Sequence, residues 1–425
     1  MARFRIRGGN PLNGRFQPAG NKNAALPMLA ACLLTDEPVT LHNVPFIQDV
    51  EVMLQLLSAL GVEVRREGTT VSLEAAGVKA TELDPDLCRR VRASILLAGP
   101  LVGRYGSATF VPPGGDVIGR RRLDTHFYGL TKMGCEVSLG ERFRLHAERL
   151  RGAELLLDEA SVTATENILM AAALAEGVTT LYHAACEPHV QDLCELLVRM
   201  GARIEGQGTN RIRVEGVSRL HGAECTVGSD YVEVGSFLAA AAATGGALTV
   251  QGQPDDLALR ILGRSFQKLG IVWQFEGDVL RLPAEQTRAI QKDLASAIPK
   301  IEDGIWPAFP SDLMSVAIVL ATQCTGSLLF FEKMFESRMY FVDRLIEMGA
   351  QIVQCDPHRV LVQGPAALHA THMSSPDIRA GMALVIAALC ARGESVIDNV
   401  AMIDRGYERV DERLRMLGAD IERIA

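Results

Sequence analysis

Short polar clusters stand where several strongly apolar stretches of the 425-residue chain begin. The clearest are Lys22-Asn23, Arg92, Ser311-Asp312 and the run from Asp377 to Arg379. The N-terminus of a helix presents free N–H groups and a partial positive charge, which favour phosphate and carboxylate ligands. The serine and aspartates in these clusters would also serve as ordinary N-caps, but a lysine or arginine opposes the helix dipole at that end. We therefore interpret the cations at these helix starts as side chains directed at an anion.

A second concentration of charge lies in the segment from Val111 to His126, which reads Val-Pro-Pro-Gly-Gly-Asp-Val-Ile-Gly-Arg-Arg-Arg-Leu-Asp-Thr-His. Its prolines and glycines are typical of a shaped loop, and the three consecutive arginines at 120–122 repel one another. Arginine forks match the oxygens of a phosphate group bidentately. The segment is therefore predicted to bind phosphate, although a solvated arginine run beside Asp124 would account for the same residues.

The elements that must position these residues recur six times. Helix-like runs end in Leu-Gly or Met-Gly, with hairpin-like stretches after them, at Gly61, Gly134, Gly201, Gly270, Gly349 and Gly418. Glycine just past the last periodic residue is typical of a left-handed helix stop. Self-similarity at a nearly fixed interval predicts a fold built from six copies of one unit.

Each copy also contains a helix that is apolar on nearly every side, and such a helix belongs inside a core. These helices are predicted at 23–34, 92–102, 164–175, 231–243, 312–322 and 377–391, and none has the apolar length of a membrane span. After Gly418 too few residues remain for two strands, whereas Arg3 to Arg7 alternates like a strand. We therefore predict that the N-terminal strand completes the last copy. One domain would then cover 20–229 and a second 1–19 plus 230–425.

Composition limits the possible function classes. The net charge of −8 argues against nonspecific binding to nucleic acid. Nine cysteines are scattered without a Cys-x-x-Cys, which favours a reducing compartment and disfavours a structural zinc site. The first residues lack the apolar stretch of a signal peptide. We expect a cytoplasmic protein that binds neither nucleic acid nor membrane.

Five motifs give the whole chain a specific resemblance. In order they are Gly20-Asn21-Lys22-Asn23-Ala24-Ala25-Leu26-Pro27, the Pro-Gly-Gly loop, Phe309-Pro310-Ser311-Asp312, Phe335-Glu336-Ser337-Arg338 and Ile403-Asp404-Arg405-Gly406-Tyr407-Glu408-Arg409. Together they resemble the enolpyruvyl transferases, and among these the transferases that act on UDP-N-acetylglucosamine. The resemblance implies an α/β fold of two inside-out α/β barrel domains, each of three βαβαββ units, as in EPSP synthase.

The resemblance also implies an activity. Members of this family move the enolpyruvyl group of phosphoenolpyruvate onto the 3′-hydroxyl of UDP-N-acetylglucosamine and release phosphate, at the start of peptidoglycan precursor synthesis. That reaction needs a base for the hydroxyl, an acid for the methylene carbon, and cations around phosphate and carboxylate. No metal or cofactor is implied, and we expect a monomer or a weak homo-oligomer.

Roles follow residue by residue from the same resemblance. Asp312 resembles the base and Asp116 occupies the position of the acid. Lys22, Arg121 and Arg405 resemble phosphate contacts, Arg338 and Arg379 resemble contacts to the carboxylate, and Asn23 and Asp377 lie where the reacting groups are oriented. The expected sugar-nucleotide contacts are Arg92, Arg121, Arg122, Leu123, Asp124, Thr125, Ser161, Val162, Asp312 and Met334.

Three positions depart from the family pattern. Asp116 replaces the usual cysteine, Arg122 replaces a common proline, and Glu159 stands where relatives often carry lysine. These changes leave open a transferase for another nucleotide sugar, or a regulatory paralogue that binds a sugar nucleotide without turnover. The sister transferase for shikimate 3-phosphate is disfavoured, because its lysine is followed by serine or threonine and Lys22 is followed by Asn23.

Overall fold

A computed structural model of the chain describes residues 2–115, 118–252 and 256–424. The predicted acid Asp116 therefore lies outside the described residues. The described chain divides into two compact units. We call residues 20–115 and 121–228 the middle unit, and residues 2–19, 118–120 and 229–424 the terminal unit.

Strands and helices alternate along both units. The strands are β1 (Arg3–Arg7), β2 (Gly14–Phe16), β3 (Val39–His42), β4 (Glu63–Glu67), β5 (Thr70–Glu74), β6 (Ser107–Phe110), β7 (Glu136–Ser138), β8 (Phe143–His146), β9 (Glu154–Leu156), β10 (Val178–Tyr182), β11 (Arg203–Glu205), β12 (Arg211–Glu215), β13 (Ala223–Thr226), β14 (Leu248–Gln251), β15 (Gln274–Glu276), β16 (Val279–Leu282), β17 (Lys300–Glu302), β18 (Gly326–Phe331), β19 (Gln351–Asp356), β20 (Arg359–Gly364), β21 (His372–Ser374), β22 (Glu394–Asp398) and β23 (Asp420–Ile424).

The α-helices are α1 (Lys22–Ala31), α2 (Gln48–Leu60), α3 (Pro85–Arg90), α4 (Ala98–Tyr105), α5 (Asp124–Lys132), α6 (Val162–Ala172), α7 (Pro188–Arg199), α8 (Tyr231–Thr244), α9 (Asp256–Lys268), α10 (Met314–Ala321), α11 (Val342–Glu347), α12 (Ile378–Cys390) and α13 (Val410–Met416). Short 3₁₀ helices occupy Cys32–Leu34, Arg92–Leu97, Leu294–Ser296, Ser311–Leu313 and Val400–Arg405.

Three sheets belong to each unit. In the middle unit the strand orders are β13-β3-β5-β4, β6-β8-β7 and β11-β12-β10-β9. In the terminal unit they are β21-β22-β1-β23, β15-β16-β14-β2 and β17-β18-β20-β19. Mixed parallel and antiparallel pairing around buried helices confirms the predicted two-unit α/β class, and no sheet formed by the described residues closes on itself.

The N-terminal strand completes the last sheet, as predicted. β1 lies between β22 and β23 and pairs antiparallel with both, with Ile6 opposite Ser395 on one side and Ile421 on the other. Phe4 and Ile6 are buried while the arginines between them face outward. The alternation read from the sequence therefore also fixes which face of β1 meets the core.

The six all-apolar helices lie in the core, which confirms that prediction. In the middle unit α4 packs against α6, and in the terminal unit α10 packs against α8 and α12. Two of the predicted helices begin as 3₁₀ turns, at Arg92–Leu97 and Ser311–Leu313, before α4 and α10 continue. Within the described ranges, no helix combines the length and apolar character that crossing a bilayer requires.

Glycine ends the second helix of each repeat in the left-handed region. The φ angles of the six repeat glycines are 104° at Gly61, 97° at Gly134, 100° at Gly201, 73° at Gly270, 94° at Gly349 and 100° at Gly418. Side chains other than glycine rarely adopt these angles. The six-copy repeat predicted from the glycine spacing is therefore present in the backbone.

Candidate active site

Asp312 lies in the 3₁₀ turn that precedes α10, and each of its carboxylate oxygens accepts a hydrogen bond from an arginine. Arg338 Nη2 donates to Oδ1 at 3.1 Å, and Arg379 Nη2 donates to Oδ2 at 2.8 Å. The two arginine side chains are almost fully buried, whereas that of Asp312 is 28% exposed. The capping interpretation of Asp312 is wrong, because its oxygens bind these cations and no side-chain cap is present at α10. A partly exposed carboxylate between two buried cations can face a ligand and accept a proton from it.

Arg379 remains charged although it lies inside the protein. Burial by itself lowers its pKa, but the charge of Asp312 and the neighbouring Tyr407 raise the pKa above the ordinary arginine value. Its guanidinium lies 5.5 Å from the centre of the Tyr407 ring. Arg379 Nη1 is buried and has no hydrogen-bond partner among the described residues. A buried guanidinium N–H without a partner is uncommon, and it is suited to an anionic ligand.

Asp377 holds the start of α12 in place. Its Oδ1 accepts from the backbone N–H groups of Arg379 at 2.8 Å and Ala380 at 2.9 Å. The capping interpretation is therefore correct for Asp377, and through this cap Asp377 fixes the first turn from which the Arg379 side chain projects. The predicted phosphate contact Arg405 ends the 3₁₀ helix Val400–Arg405 and is half-buried.

In the middle unit, Lys22 begins α1 and forms an ion pair with a buried acid. Lys22 Nζ lies 3.2 Å from Asp49 Oδ2, and the two side chains are 11% and 7% exposed. Asn21, directly before the helix, accepts from the backbone N–H of Asn23 at 2.8 Å. The cations at the starts of α1 and α12 therefore do point at anions, and those anions are carboxylates of the protein.

Arg92 is placed against another cation. Its Nη2 donates to the backbone carbonyl of Arg121, and burial together with the charge of Arg121 lowers the pKa of Arg92 to about 10. The like charges of Arg92 and Arg121 disfavour each other, and a bound anion would reduce that repulsion. This part of the middle unit is electrostatically suited to an anion.

The predicted sugar-nucleotide contacts that belong to the middle unit lie around the start of α5. Thr125 donates its hydroxyl to Asp158 at 2.9 Å and to Glu159 at 3.3 Å. Arg122 is exposed and pairs with Asp124, and its pKa is raised first by Asp124 and further by Asp158 and Glu159. The two charge departures, Arg122 and Glu159, are therefore electrostatic neighbours whose charges compensate each other.

Ser161 and Val162 open α6 beside this cluster. The Ser161 hydroxyl accepts from the backbone N–H of Ala164 at 3.4 Å and caps the helix. Its own N–H donates to the Glu159 carbonyl at 2.8 Å. Leu123 is half-buried and packs against the hydrophobic core of the middle unit.

Sequence reasoning missed a buried hydrogen-bond network that joins α5 to α6. His126 accepts at Nδ1 from Asn167 Nδ2 at 3.1 Å, so its Nε2–H faces the Thr163 hydroxyl, also at 3.1 Å. Burial and the nearby charge of Arg92 lower the pKa of His126 to about 3. His126 is therefore neutral, and it fixes the first turn of α5 where Thr125 lies.

Met334 is partly exposed, and its backbone N–H donates to the buried carboxyl of Glu332 at 3.2 Å. Sequence reasoning also missed Glu332, which belongs to none of the five motifs. Near it, residues 118–120 contact the turn before Arg338, since Arg120 N–H donates to Glu336 at 3.1 Å and Ser337 N–H to the Ile118 carbonyl at 3.1 Å.

The chain is similar in sequence to known proteins over almost its whole length. Residues 6–414 match the family model described as EPSP synthase (3-phosphoshikimate 1-carboxyvinyltransferase). A UDP-N-acetylglucosamine 1-carboxyvinyltransferase of Treponema denticola is 52% identical over 424 residues, which cover 99% of each chain. A protein of the same name from Bradyrhizobium diazoefficiens is 52% identical over 420 residues, which cover 99% of this chain and 97% of the relative.

Two solved structures share the fold. The enolpyruvyl transferase NikO from Streptomyces tendae superposes with a TM-score of 0.88 at 24% identity, covering 99% of this chain and 98% of the other. EPSP synthase from Acinetobacter baumannii superposes with a TM-score of 0.77 at 17% identity over the whole of both chains. At these identities the likeness concerns the architecture alone.

Proposed function

This chain belongs to the EPSP synthase family of enolpyruvyl transferases, and we propose that it transfers the enolpyruvyl group of phosphoenolpyruvate to the 3′-hydroxyl of UDP-N-acetylglucosamine. The chain is a transferase, and the family resemblance seen in its motifs is confirmed by full-length identity of about half to proteins of that name. The single observation that carries the site assignment is the Asp312 carboxylate held between Arg338 and Arg379.

The reaction divides between a base, an acid and a set of cations. Asp312 takes the proton of the sugar 3′-hydroxyl, and the hydroxyl oxygen attacks the phosphate-bearing carbon of phosphoenolpyruvate. The methylene carbon gains a proton from the acid, and a tetrahedral intermediate that still carries phosphate results. Loss of a proton from the methyl group and departure of phosphate then restore the double bond. The steps consume one hydroxyl proton and release inorganic phosphate, with no redox partner.

The arginines around Asp312 supply charge for the carboxylate of phosphoenolpyruvate. Arg338 and Arg379 are buried, and burial strengthens their interaction with an anion. Arg379 Nη1 offers a donor that no described residue uses. Lys22, Arg121 and Arg405 are assigned to the phosphate group, and Asn23 and Asp377 to orientation of the reacting groups.

The sugar nucleotide is assigned to the Arg92 region and to Met334. Arg92 beside Arg121 is suited to the diphosphate, because the repulsion between the two guanidinium groups is relieved by a doubly charged anion. The neighbouring residues 122–125 and 161–162 complete these contacts. Charge compensation between Arg122 and Glu159 favours the ordinary nucleotide sugar over a different one.

Phosphate release is the experiment that tests the function. Purified protein should release inorganic phosphate from phosphoenolpyruvate when UDP-N-acetylglucosamine is added, and shikimate 3-phosphate should not replace the nucleotide sugar. Binding of the nucleotide sugar without phosphate release would instead indicate a regulatory paralogue. Release with shikimate 3-phosphate alone would assign the chain to the sister activity.

Asp116 is proposed as the acid on the resemblance of its loop. Asp116→Asn removes the proton donor and should lower turnover by roughly 10²–10⁴-fold, whereas Asp116→Cys should remain active because a thiol can also donate a proton. The cysteine variant should in addition be alkylated by the epoxide fosfomycin, since thiolate is a strong nucleophile. Intact-mass measurement of both proteins after incubation with the nucleotide sugar and fosfomycin detects the adduct. An adduct on the unaltered protein, with loss of activity, would exclude Asp116 from this position.

A further inference from the structure

Two buried acids follow the ends of paired strands directly behind the Asp312 cluster. β17 and β18 run parallel, with Glu302 opposite Phe331, and the next residue of each strand is an acid, Asp303 and Glu332. Since parallel strands end at the same edge of a sheet, these carboxyl groups are brought together. Asp303 is 1% exposed and Glu332 is 0% exposed. Neither belongs to a motif that carried the family resemblance.

Glu332 contacts three separate pieces of the candidate site. The Ser311 hydroxyl, adjacent to Asp312, lies 3.0 Å from Oε1 and 2.9 Å from Oε2. The backbone N–H groups of Met334 and Phe335 donate to Oε1 at 3.2 and 3.1 Å. Arg338 Nε lies 3.8 Å from Oε2, too far for a hydrogen bond, and the Arg338 guanidinium lies over the Phe335 ring at 5.1 Å from its centre.

We infer that Glu332 is a positioning residue, which fixes Ser311 and the turn from Met334 to Phe335 as one unit. Through Ser311 it orients the Asp312 base, and through the Phe335 ring it orients the Arg338 cation. Through the Met334 turn it shapes a proposed contact to the sugar nucleotide. One buried carboxyl group would thus align both substrates, a role that rests on the function proposed above.

The surroundings of Glu332 indicate the form in which it acts. Asp303 Oδ1 accepts from the backbone N–H of Lys333 at 2.5 Å, but Oδ2 is buried and has no partner among the described residues while both acids are ionised. Burial and then the neighbouring Asp303 raise the pKa of Glu332 to about 9. A proton on Glu332 satisfies Asp303 and leaves Glu332 able to accept from Ser311 and the two backbone groups.

Substitutions of Glu332 by glutamine and by methionine distinguish a positioning role from a requirement for a negative charge at this residue. Glu332→Gln keeps an acceptor for the backbone N–H groups and gains a donor for Asp303, so KM for each substrate should stay within about threefold of the unaltered enzyme. Glu332→Met has similar length but no strong acceptor, and KM for both substrates should rise on the order of tenfold as buried donors lose their partner. Glu302→Met is the matched control, because Glu302 lies one residue from Asp303 and its side chain pairs with the ammonium groups of Lys300 and Lys333 rather than with Ser311, Asp303 or Arg338.

Steady-state kinetics of phosphate release, measured with the melting temperature of each variant, test whether Glu332 positions the site. Unchanged KM values in a folded Glu332→Met protein would overturn the inference. A rise for one substrate alone would overturn the proposed alignment of both, and equal damage in the glutamine variant would show that an ionised carboxylate is required. If the methionine variant does not fold, Ser311→Ala should raise KM in the same direction by about threefold, and unchanged values there would also overturn the inference.

Failure of the proposed function can be distinguished from failure of the inference about Glu332. If the proposed function is wrong, the unaltered protein will release no phosphate. The inference is then tested by calorimetric titration of the same variants with UDP-N-acetylglucosamine and phosphoenolpyruvate. The expected fold-changes then apply to the dissociation constants.

Discussion

The Asp312 cluster of the terminal unit and the Arg92 cluster of the middle unit differ in how their positive charges are balanced. Arg338 and Arg379 are buried, but Asp312 already balances them at 3.1 and 2.8 Å. Arg92 is turned towards Arg121, and its pKa is lowered to about 10 by burial and that like charge. The first cluster is built before any substrate arrives, whereas the second becomes favourable when an anion binds. A pre-organised cluster suits the chemical step, whereas like charges that repel each other suit recognition of an anionic ligand.

Asp312→Asn should have the largest effect on turnover. The amide keeps the shape of the side chain but cannot accept the hydroxyl proton, so kcat should fall by roughly 10²–10⁴-fold. Affinity for phosphoenolpyruvate should not weaken, because the two buried arginines lose a competing carboxylate. Single-turnover phosphate release and calorimetry measure the two effects. Near-normal turnover would remove Asp312 from the mechanism and break the comparison.

Arg379→Ala should impair both binding and folding. It removes a buried, charge-assisted contact worth about 1.5–3 kcal/mol, so KM for phosphoenolpyruvate should rise by roughly 10- to 150-fold. It also leaves Asp312 with one cation fewer, so the melting temperature should fall. Arg344→Ala, on the exposed face of α11 where Arg344 pairs with Glu347, is the control. A selective loss of nucleotide-sugar affinity would contradict the assignment of Arg379 to phosphoenolpyruvate.

Arg92→Leu should separate binding from stability. Removing Arg92 ends its repulsion with Arg121 but also its hydrogen bond to the Arg121 carbonyl, so the melting temperature should change little. Affinity for UDP-N-acetylglucosamine should fall by about 10-fold or more, as expected for the loss of one hydrogen bond to a charged group. Calorimetry and thermal unfolding of Arg92→Leu and Arg379→Ala, measured side by side, test the contrast. A large loss of stability in the Arg92 variant would show that its charge is balanced within the protein.

The remaining prediction concerns the stability of the fold, and not its activity, as a function of pH. The pKa of Glu332 in the folded protein, about 9, lies above its ordinary value, so the folded state retains a proton that the unfolded state loses. The free energy of unfolding should therefore fall as pH rises from near 4.5 towards 9, by at most about 1.4 kcal/mol per pH unit. Glu332→Gln should remove that part of the slope. Urea unfolding at several pH values measures it, and identical slopes would show that Glu332 does not carry the proton.

Much of the fold could be predicted because its determinants are local. A few neighbouring residues suffice to predict a glycine helix stop, a buried all-apolar helix and the alternating strand at Arg3–Arg7. Asp377 as a cap is local in the same way. The start of α10 was less predictable, because Asp312 binds arginines 26 and 67 residues away and does not cap its own helix.

Glu332 and Asp303 show why part of the site stayed hidden. Each is a single acid directly after a strand, and that position acquires meaning only once β17 and β18 are known to be parallel neighbours. His126 and Asn167 are linked across 41 residues in the same manner. Knowledge of strand pairing, combined with a search for acids at strand ends, would have identified Glu332. The roles assigned to the site residues, Asp116, Lys22 and Arg405 among them, remain predictions.

The position of β1 has a consequence for how the chain is made. A ribosome completes residues 3–7 first, yet their two partner strands, β22 and β23, are the last strands to be made. The middle unit is nearly continuous in sequence and can fold while the terminal unit is still incomplete. During that interval β1 is an unpaired strand with two apolar residues on one face, a segment open to incorrect pairing. The terminal unit can therefore be completed only after β22 and β23 have been made and β1 has paired with both.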